Sequence, residues 1–296
     1  LNADDAADLI DEMPANVVKK LLANADPETR RDINHLLQYP DDSAGSIMTV
    51  EFMDLKEAYT VEQSLRKIRM EGIDKETINT CYILNPHRRL LGAISLRRLL
   101  LSDPVEKMSN IMEDHVISVS TRTDQEEVAQ LFQKYDFTSI PVVDSENRLV
   151  GIITVDDIVD ILQQEATEDI EKMAAITPTD KPYMKTGVLE TWKKRIPWLL
   201  ILMISATFTG KIISHYEAAL ASYVVLTAFI PMLMDTGGNA GSQASVSIIR
   251  GLSLNEIDYG DTLKILMKEW LVGVLIGATL AAANFVKLLI IDRVTI

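Results

Sequence analysis

Between Glu217 and Arg250 the chain runs for 32 residues with one charged side chain, Asp235. A straight helix of that length would extend about 48 Å, against a bilayer hydrocarbon core of about 30 Å. The stretch therefore reads as a membrane segment that bends or breaks, and Pro231 and Gly237-Gly238 mark the expected places. Two more segments share its character. Residues 196–210 are uncharged and continue past Lys211, which can snorkel to the interface. Residues 270–286 are uncharged too, with Lys287 at the far end. The expected spans are about 196–214, 218–249 and 268–291, with Trp192 and Trp198 placed as interfacial aromatics.

The rest of the chain has the opposite chemistry. Residues 1–190 hold 36 acidic and 20 basic side chains, a net of −16, whereas residues 191–296 carry a net of +2. Lys193, Lys194 and Arg195 precede the first span, and Arg250, Lys264 and Lys268 surround the loop after the second. The positive-inside rule puts these six on the cytosolic side, and the acidic front with them. The expected setting is the plasma (inner) membrane, crossed several times, with lipid as a partner. An acidic front excludes nucleic acid, which needs clustered cations; it fits cation binding or simple solubility. Cys81 is the only cysteine, so disulfides and thiolate metal sites are excluded, and its TCYIL setting predicts a buried strand. His35, His87, His115 and His215 have no ligand spacing. No secretory signal opens the sequence, and the missing initiating Met points to a trimmed chain.

Residues 1–45 read as short helices, with Ala25-Asp26-Pro27-Glu28 as a cap. They are too few to own a core and should dock on something. Residues 46–162 contain an internal repeat. Ile47-Met48 recurs as Ile111-Met112, and CYILNPHRRLLGAISLRRLL is echoed by IPVVDSENRLVGIITVDDIV, matching Gly92 with Gly151 and Ser95 with Thr154. Each copy reads strand, helix, strand, turn, strand, helix. Asp124-x-x-Glu127 is an expected capping box, and Asp144-Ser145-Glu146-Asn147 a hairpin turn. This arrangement resembles a tandem pair of CBS domains. Residues 163–191 follow as a polar linker helix and an approach to the membrane. The fold class is thus an α-helical membrane protein with cytosolic α+β tandem CBS domains and a short α-helical N-terminal segment.

The most informative stretch is PMLMDTGGNAGSQAS, residues 231–245. On a helix, Asn239, Ser242 and Gln243 rotate to within about 80° of Asp235, forming one polar face. Carboxylates within a membrane cost roughly 2.5–3.5 kcal/mol on insertion scales and are usually functional. A phosphate loop is excluded, since no Lys follows the glycines. Helix packing through small residues is the bland alternative; a pore lined by Asp235, Asn239, Ser242 and Gln243 is the reading favoured here.

In order, an acidic helical piece, a CBS pair, an acidic linker and spans bearing TGGNAGSQ resemble the MgtE family of Mg²⁺ channels and transporters. The resemblance implies a homodimer, further spans beyond Ile296, and regulatory Mg²⁺ held between the N-terminal segment, the CBS pair and the linker helix. The matching positions are Asp4, Asp8, Asp124, Glu126, Asp136, Asp157, Asp160, Glu165, Glu168 and Asp169, with the Ser46 carbonyl. CBS pairs also bind adenosine nucleotides, and Thr154-x-x-Asp157 fits that pattern, whereas the first copy has Arg98 in place of the Asp.

Physical chemistry supports the implication. Mg²⁺ prefers oxygen and keeps waters, so it can bridge one or two carboxylates from facing surfaces. Such bridging would draw together a front that otherwise repels itself. The expected function is a Mg²⁺-selective, channel-like transporter closed by cytosolic Mg²⁺; the alternative is a membrane-tethered nucleotide sensor. An enzyme is not expected, because there is no nucleophile–base pair or cofactor fingerprint, and no protein substrate is implied.

Overall fold

The computed structural model describes residues 6, 10, 13, 17–18, 27–179, 181, 183–222, 227, 229–254 and 256–290. They fall into two units, Leu1–Glu165 and Ala166–Ile296.

Pro27 opens helix α1 (Pro27–Leu36), a position where its missing N–H is not needed. The first CBS copy then follows as β1 (Phe52–Lys56), α2 (Val61–Glu71), β2 (Thr77–Leu84), β3 (Leu90–Ser95) and α3 (Leu96–Leu101). A short helix α4 (Met108–Ile111) leads to the second copy: β4 (Val119–Ser120), α5 (Gln125–Tyr135), β5 (Ser139–Val143), β6 (Leu149–Thr154) and α6 (Val155–Met173). In each copy the first two strands are parallel across a helix and the last two antiparallel across a hairpin. The strand orders β1-β2-β3 and β4-β5-β6 are the same, so the sequence repeat is a structural repeat.

The two copies exchange their lead-in segments. Thr49, just before the first copy, pairs with Ile152 of the second, donating at 2.8 Å and accepting at 2.9 Å. Glu113, just before the second copy, pairs with Ala93 of the first at 2.9 and 3.0 Å. This exchange explains the matched glycines. A Cβ on Gly151 would lie 2.6 Å from the Met48 sulfur and 2.8 Å from the Thr49 carbonyl oxygen. A Cβ on Gly92 would meet the Glu113 carbonyl at 2.7 Å and the Met112 sulfur at 2.9 Å. Neither glycine has a positive φ, so space alone selects them. The hairpin turns pair as well, through Leu90 N–H to the Asn147 carbonyl and Leu149 N–H to the Arg88 carbonyl. Arg88 and Asn147, both with φ 62°, occupy equivalent left-handed positions.

Apolar packing follows the same plan. Ile33 and Leu36 of α1 pack with Val128, Phe132, Ile140 and Ile158, so the N-terminal segment docks on the second copy. A second cluster fills the first copy around Leu55, Ile83, Ile94 and Leu99. Phe52, Tyr82, Leu84, Leu149 and Ile152 join the copies, and the buried Tyr82 hydroxyl is hydrogen-bonded to Ser139 at 2.9 Å. Cys81 is buried in β2 as expected, and burial pushes its thiol up to about 12. The capping box expected at Asp124 is instead a simple cap, whose carboxylate accepts from the Glu126 N–H at 2.9 Å. Its surroundings are already engaged, with Gln125 N–H donating to the Asp42 carbonyl. The reciprocal box occurs in the first copy, between Thr60 and Gln63.

The second unit holds α7 (Val188–His215), α8 (Glu217–Ser222), α9 (Phe229–Ser253) and α10 (Thr262–Ile290). Two helical stretches, Val188–His215 and Tyr259–Lys287, are long and apolar enough to cross a membrane, and among the described residues neither is buried. Trp192 and Trp270 are 55% and 64% exposed. The break expected at Gly237-Gly238 is absent, and α9 runs through both glycines. Glycine in a helix costs about 1 kcal/mol, less than leaving backbone groups unpaired in hydrocarbon. Pro231 is the third residue of α9, where no intrahelical donor is lost. Within the 217–250 stretch the described helices are α8, Glu217–Ser222, and α9, which runs from Phe229.

Candidate ion-handling surfaces

The acids proposed to hold regulatory ions lie mostly at helix ends and on α6. Asp124 caps α5 and is exposed, while Glu126 in its first turn is half-buried. Asp136 ends the same helix in a left-handed conformation, φ 53°, and is exposed. Asp157 and Asp160 are three residues apart on α6 and so share a face. Glu165 accepts a 2.7 Å hydrogen bond from the buried Gln125, which ties α6 to the start of α5. Glu168 forms an ion pair with Lys172 at 2.6 Å. Asp169 accepts a hydrogen bond from Ser253, the last residue of α9. The Ser46 hydroxyl donates to the Ser43 carbonyl at 2.8 Å, fixing the turn before the first copy. Asp4 and Asp8 lie outside the described residues. Among the described residues no three carboxylate, histidine or cysteine groups converge on one ion position.

Sequence reasoning missed Gln125 and Ser253. Each is an uncharged polar residue whose importance comes from a partner 40 or 84 positions away. No local pattern signals such a pairing.

The nucleotide pattern has a definite geometry. Thr154 is buried at the end of β6, and its hydroxyl donates to an Asp157 carboxylate oxygen at 2.7 Å. In the first copy Ser95 caps α3 by accepting from the Arg98 N–H at 3.3 Å, and the Arg98 guanidinium reaches Glu113 at 3.4 Å. Only the second copy therefore presents a hydroxyl–carboxylate pair at this position.

On α9, the Asn239 amide donates to the Asp235 carboxylate at 3.3 Å, one turn apart. Ser242 and Gln243 continue along the helix from this pair, and all four side chains are exposed. Gly237, Gly238 and Gly241 have open space where a Cβ would stand. The helix thus carries a polar stripe and a smooth glycine surface within an otherwise apolar segment.

Three family models match in chain order: the MgtE intracellular N domain over residues 1–42, a CBS domain over 108–164, and a divalent cation transporter domain, MgtE, over 230–295. The magnesium transporter MgtE of Thermus thermophilus is 42% identical over 282 residues, 94% of this chain and 62% of its own length. Along nearly its whole length the chain is similar to MgtE magnesium transporters. The Bacillus subtilis magnesium transporter MgtE is 38% identical over 94% of the chain and 61% of its own length. The chain therefore spans about three-fifths of these curated relatives.

Two solved structures resemble the cytosolic part. One is the cytosolic domain of the Mg²⁺ channel MgtE in complex with ATP: 45% identity, TM-score 0.53, covering 54% of this chain and 66% of that one. The other is the soluble part of a magnesium transporter: 37% identity, TM-score 0.55, covering 56% and 65%. These likenesses and the long apolar helices make the chain a helical membrane protein, with its N-terminal segment and CBS pair on the cytosolic side.

Proposed function

We propose that this chain forms part of a homodimeric, channel-like Mg²⁺ transporter, closed by cytosolic Mg²⁺ and performing no enzymatic step. The observation that carries the reading is its 42% identity to a magnesium transporter over 94% of its length. The polar stripe of α9 lies within the matched divalent cation transporter region, residues 230–295. There the carboxylate of Asp235 and the amide of Asn239, with Ser242 and Gln243, would offer oxygen atoms to hydrated Mg²⁺.

Regulation follows from the acidic front. Asp124, Glu126, Asp136, Asp157, Asp160, Glu165, Glu168 and Asp169 are oxygen donors set singly or in pairs, which suits an ion that keeps most of its waters. With Asp4, Asp8 and the Ser46 carbonyl, they would share ions with facing surfaces and shut the pathway. A swing from 1:99 to 99:1 needs about 5.5 kcal/mol, which several weak sites can supply together.

Mg²⁺ entry into liposomes containing the complete protein tests the pathway, and Asn239→Leu should abolish it; retained entry removes Asn239 from the pore. Small-angle scattering across a Mg²⁺ titration tests the gate. Compaction should weaken when Asp157 and Asp160 are both changed to Asn, and a radius of gyration indifferent to Mg²⁺ overturns the mechanism.

The Thr154–Asp157 pair supports a second reading, in which the second CBS copy binds an adenosine nucleotide. Calorimetry with ATP should show binding that Asp157→Ala removes. ATP binding without any Mg²⁺ flux would make the chain a tethered nucleotide sensor.

A further inference from the structure

We propose that the cytosolic foot of α7 is a binding site for an anionic phospholipid. The segment before α7 folds back along it. Thr177 N–H donates to the Lys194 carbonyl at 3.2 Å, the Lys194 ammonium donates to the Pro178 carbonyl at 2.7 Å, and Lys181 pairs with Glu190 at 3.1 Å. These contacts leave a groove of about 550 Å³, walled by Tyr183, Met184, Val188, Trp192, Arg195 and Leu199. That volume lies within the range of small-molecule sites.

Two features specify the occupant. The walls are apolar and uncovered, with Met184 91% and Val188 86% exposed, so a ligand with a hydrocarbon part fits where free phosphate does not. Arg195 lines the groove, and Lys185 and Lys193 follow its lining residues Met184 and Trp192 directly in sequence. Between Lys185 and Arg195 the one acid, Glu190, is held by Lys181, while Lys185, Lys193 and Arg195 engage no carboxylate among the described residues. In a chain of net charge −14 this is a local reversal of sign. It sits at the start of an apolar helix long enough to span a bilayer, beside Trp192, which is the depth of lipid headgroups. The inference does not depend on which ion the protein carries.

The test uses the chain with Trp192 as its single tryptophan, through Trp198→Phe and Trp270→Phe, in vesicles of brominated phosphatidylglycerol or brominated phosphatidylcholine diluted in unlabelled phosphatidylcholine. Phosphatidylglycerol should quench Trp192 at a lower mole fraction. The preference should fall about five-fold per charge removed in Lys185→Gln, Lys193→Gln and Arg195→Gln. Millimolar inorganic phosphate should leave the quenching unchanged, and Lys264→Gln/Lys268→Gln should keep the preference. Equal quenching by the two lipids overturns the proposal. So does full preference in the triple variant, displacement by phosphate, or equal loss in the Lys264/Lys268 control. Should the triple variant fail to insert, single Lys193→Gln and Arg195→Gln, both at exposed positions, decide the matter alone.

Discussion

Changing Gly151 to Ala tests whether the two CBS copies are locked by their exchanged lead-ins. The new methyl would stand 2.6 Å from the Met48 sulfur, 2.8 Å from its Cγ and 2.8 Å from the Thr49 carbonyl oxygen. Met48 is fully buried and has little room to swing. Thr49 is held by two backbone hydrogen bonds to Ile152, at 2.8 and 2.9 Å, so its carbonyl moves only if both are stretched. Overpacking of this kind costs about 1–3 kcal/mol, and each weakened hydrogen bond adds about 0.5–1.5 kcal/mol. The expected destabilisation is about 3 kcal/mol. Urea unfolding of the cytosolic unit, followed by tyrosine fluorescence, measures it. Gly72→Ala is the comparison in the same unit, because its Cβ meets only side-chain methyls, at 3.0 and 3.6 Å, and should cost under about 1 kcal/mol. In a double-mutant cycle, Met48→Ala and Gly151→Ala should cost less together than their sum, but by less than the whole Gly151→Ala penalty, since the Thr49 carbonyl remains in the way. A Gly151→Ala penalty no greater than that of Gly72→Ala would refute the reasoning.

Two further outcomes are expected in the same unit. Tyr82→Phe should lower its stability by about 1–2 kcal/mol by orphaning the buried Ser139 hydroxyl, and a double-mutant cycle with Ser139→Ala should show coupling between the two positions. At Asp144, partial burial alone would raise the carboxyl pKa. Hydrogen bonds from the Arg148 and Glu146 N–H groups and the Arg148 guanidinium outweigh it and hold the pKa below the usual carboxylate range. A carboxylate depressed in the folded state contributes stability above its unfolded pKa, near 3.9, and loses it as pH falls through the folded value. Urea midpoints should therefore drop below about pH 4. In Asp144→Asn the drop should be shallower, and parallel pH profiles for the two proteins would exclude the turn as its source.

What the sequence made legible was what periodicity and repetition record. The alternating runs around CYIL and IPVV specify strands, and their duplication specifies two sheets of the same order. The helical spacing of Asp235 and Asn239 likewise puts them within reach of each other, as the 3.3 Å contact shows. The exchange of Met48 and Met112 between copies was not legible. A repeat reveals that two segments are alike but not which copy each one joins, and either choice satisfies the same hydrophobic pattern. Gly92 and Gly151 carried the missing information in a form readable only once the neighbouring carbonyls were in place. The expected kink at Gly237-Gly238 failed for a different reason. Glycine permits a break, but within hydrocarbon the unpaired backbone it would expose costs more than the conformational freedom gained.

The candidate ion sites lie beyond local pattern for a physical reason. A dedicated cage for a divalent ion takes its ligands from one loop at fixed intervals, and that spacing survives in sequence. Here Asp124, Asp136, Asp157 and Asp160 stand at two helix ends and one helix face, and no three donors converge among the described residues. Any ion they hold must complete its shell with water or with another surface. A site of that kind is weak alone, and only several filled together supply the energy to shift a two-state equilibrium. If these residues hold ions as proposed, low affinity per site and the lack of a sequence signature would share one origin: ligands that belong to an arrangement of surfaces rather than to a segment of chain.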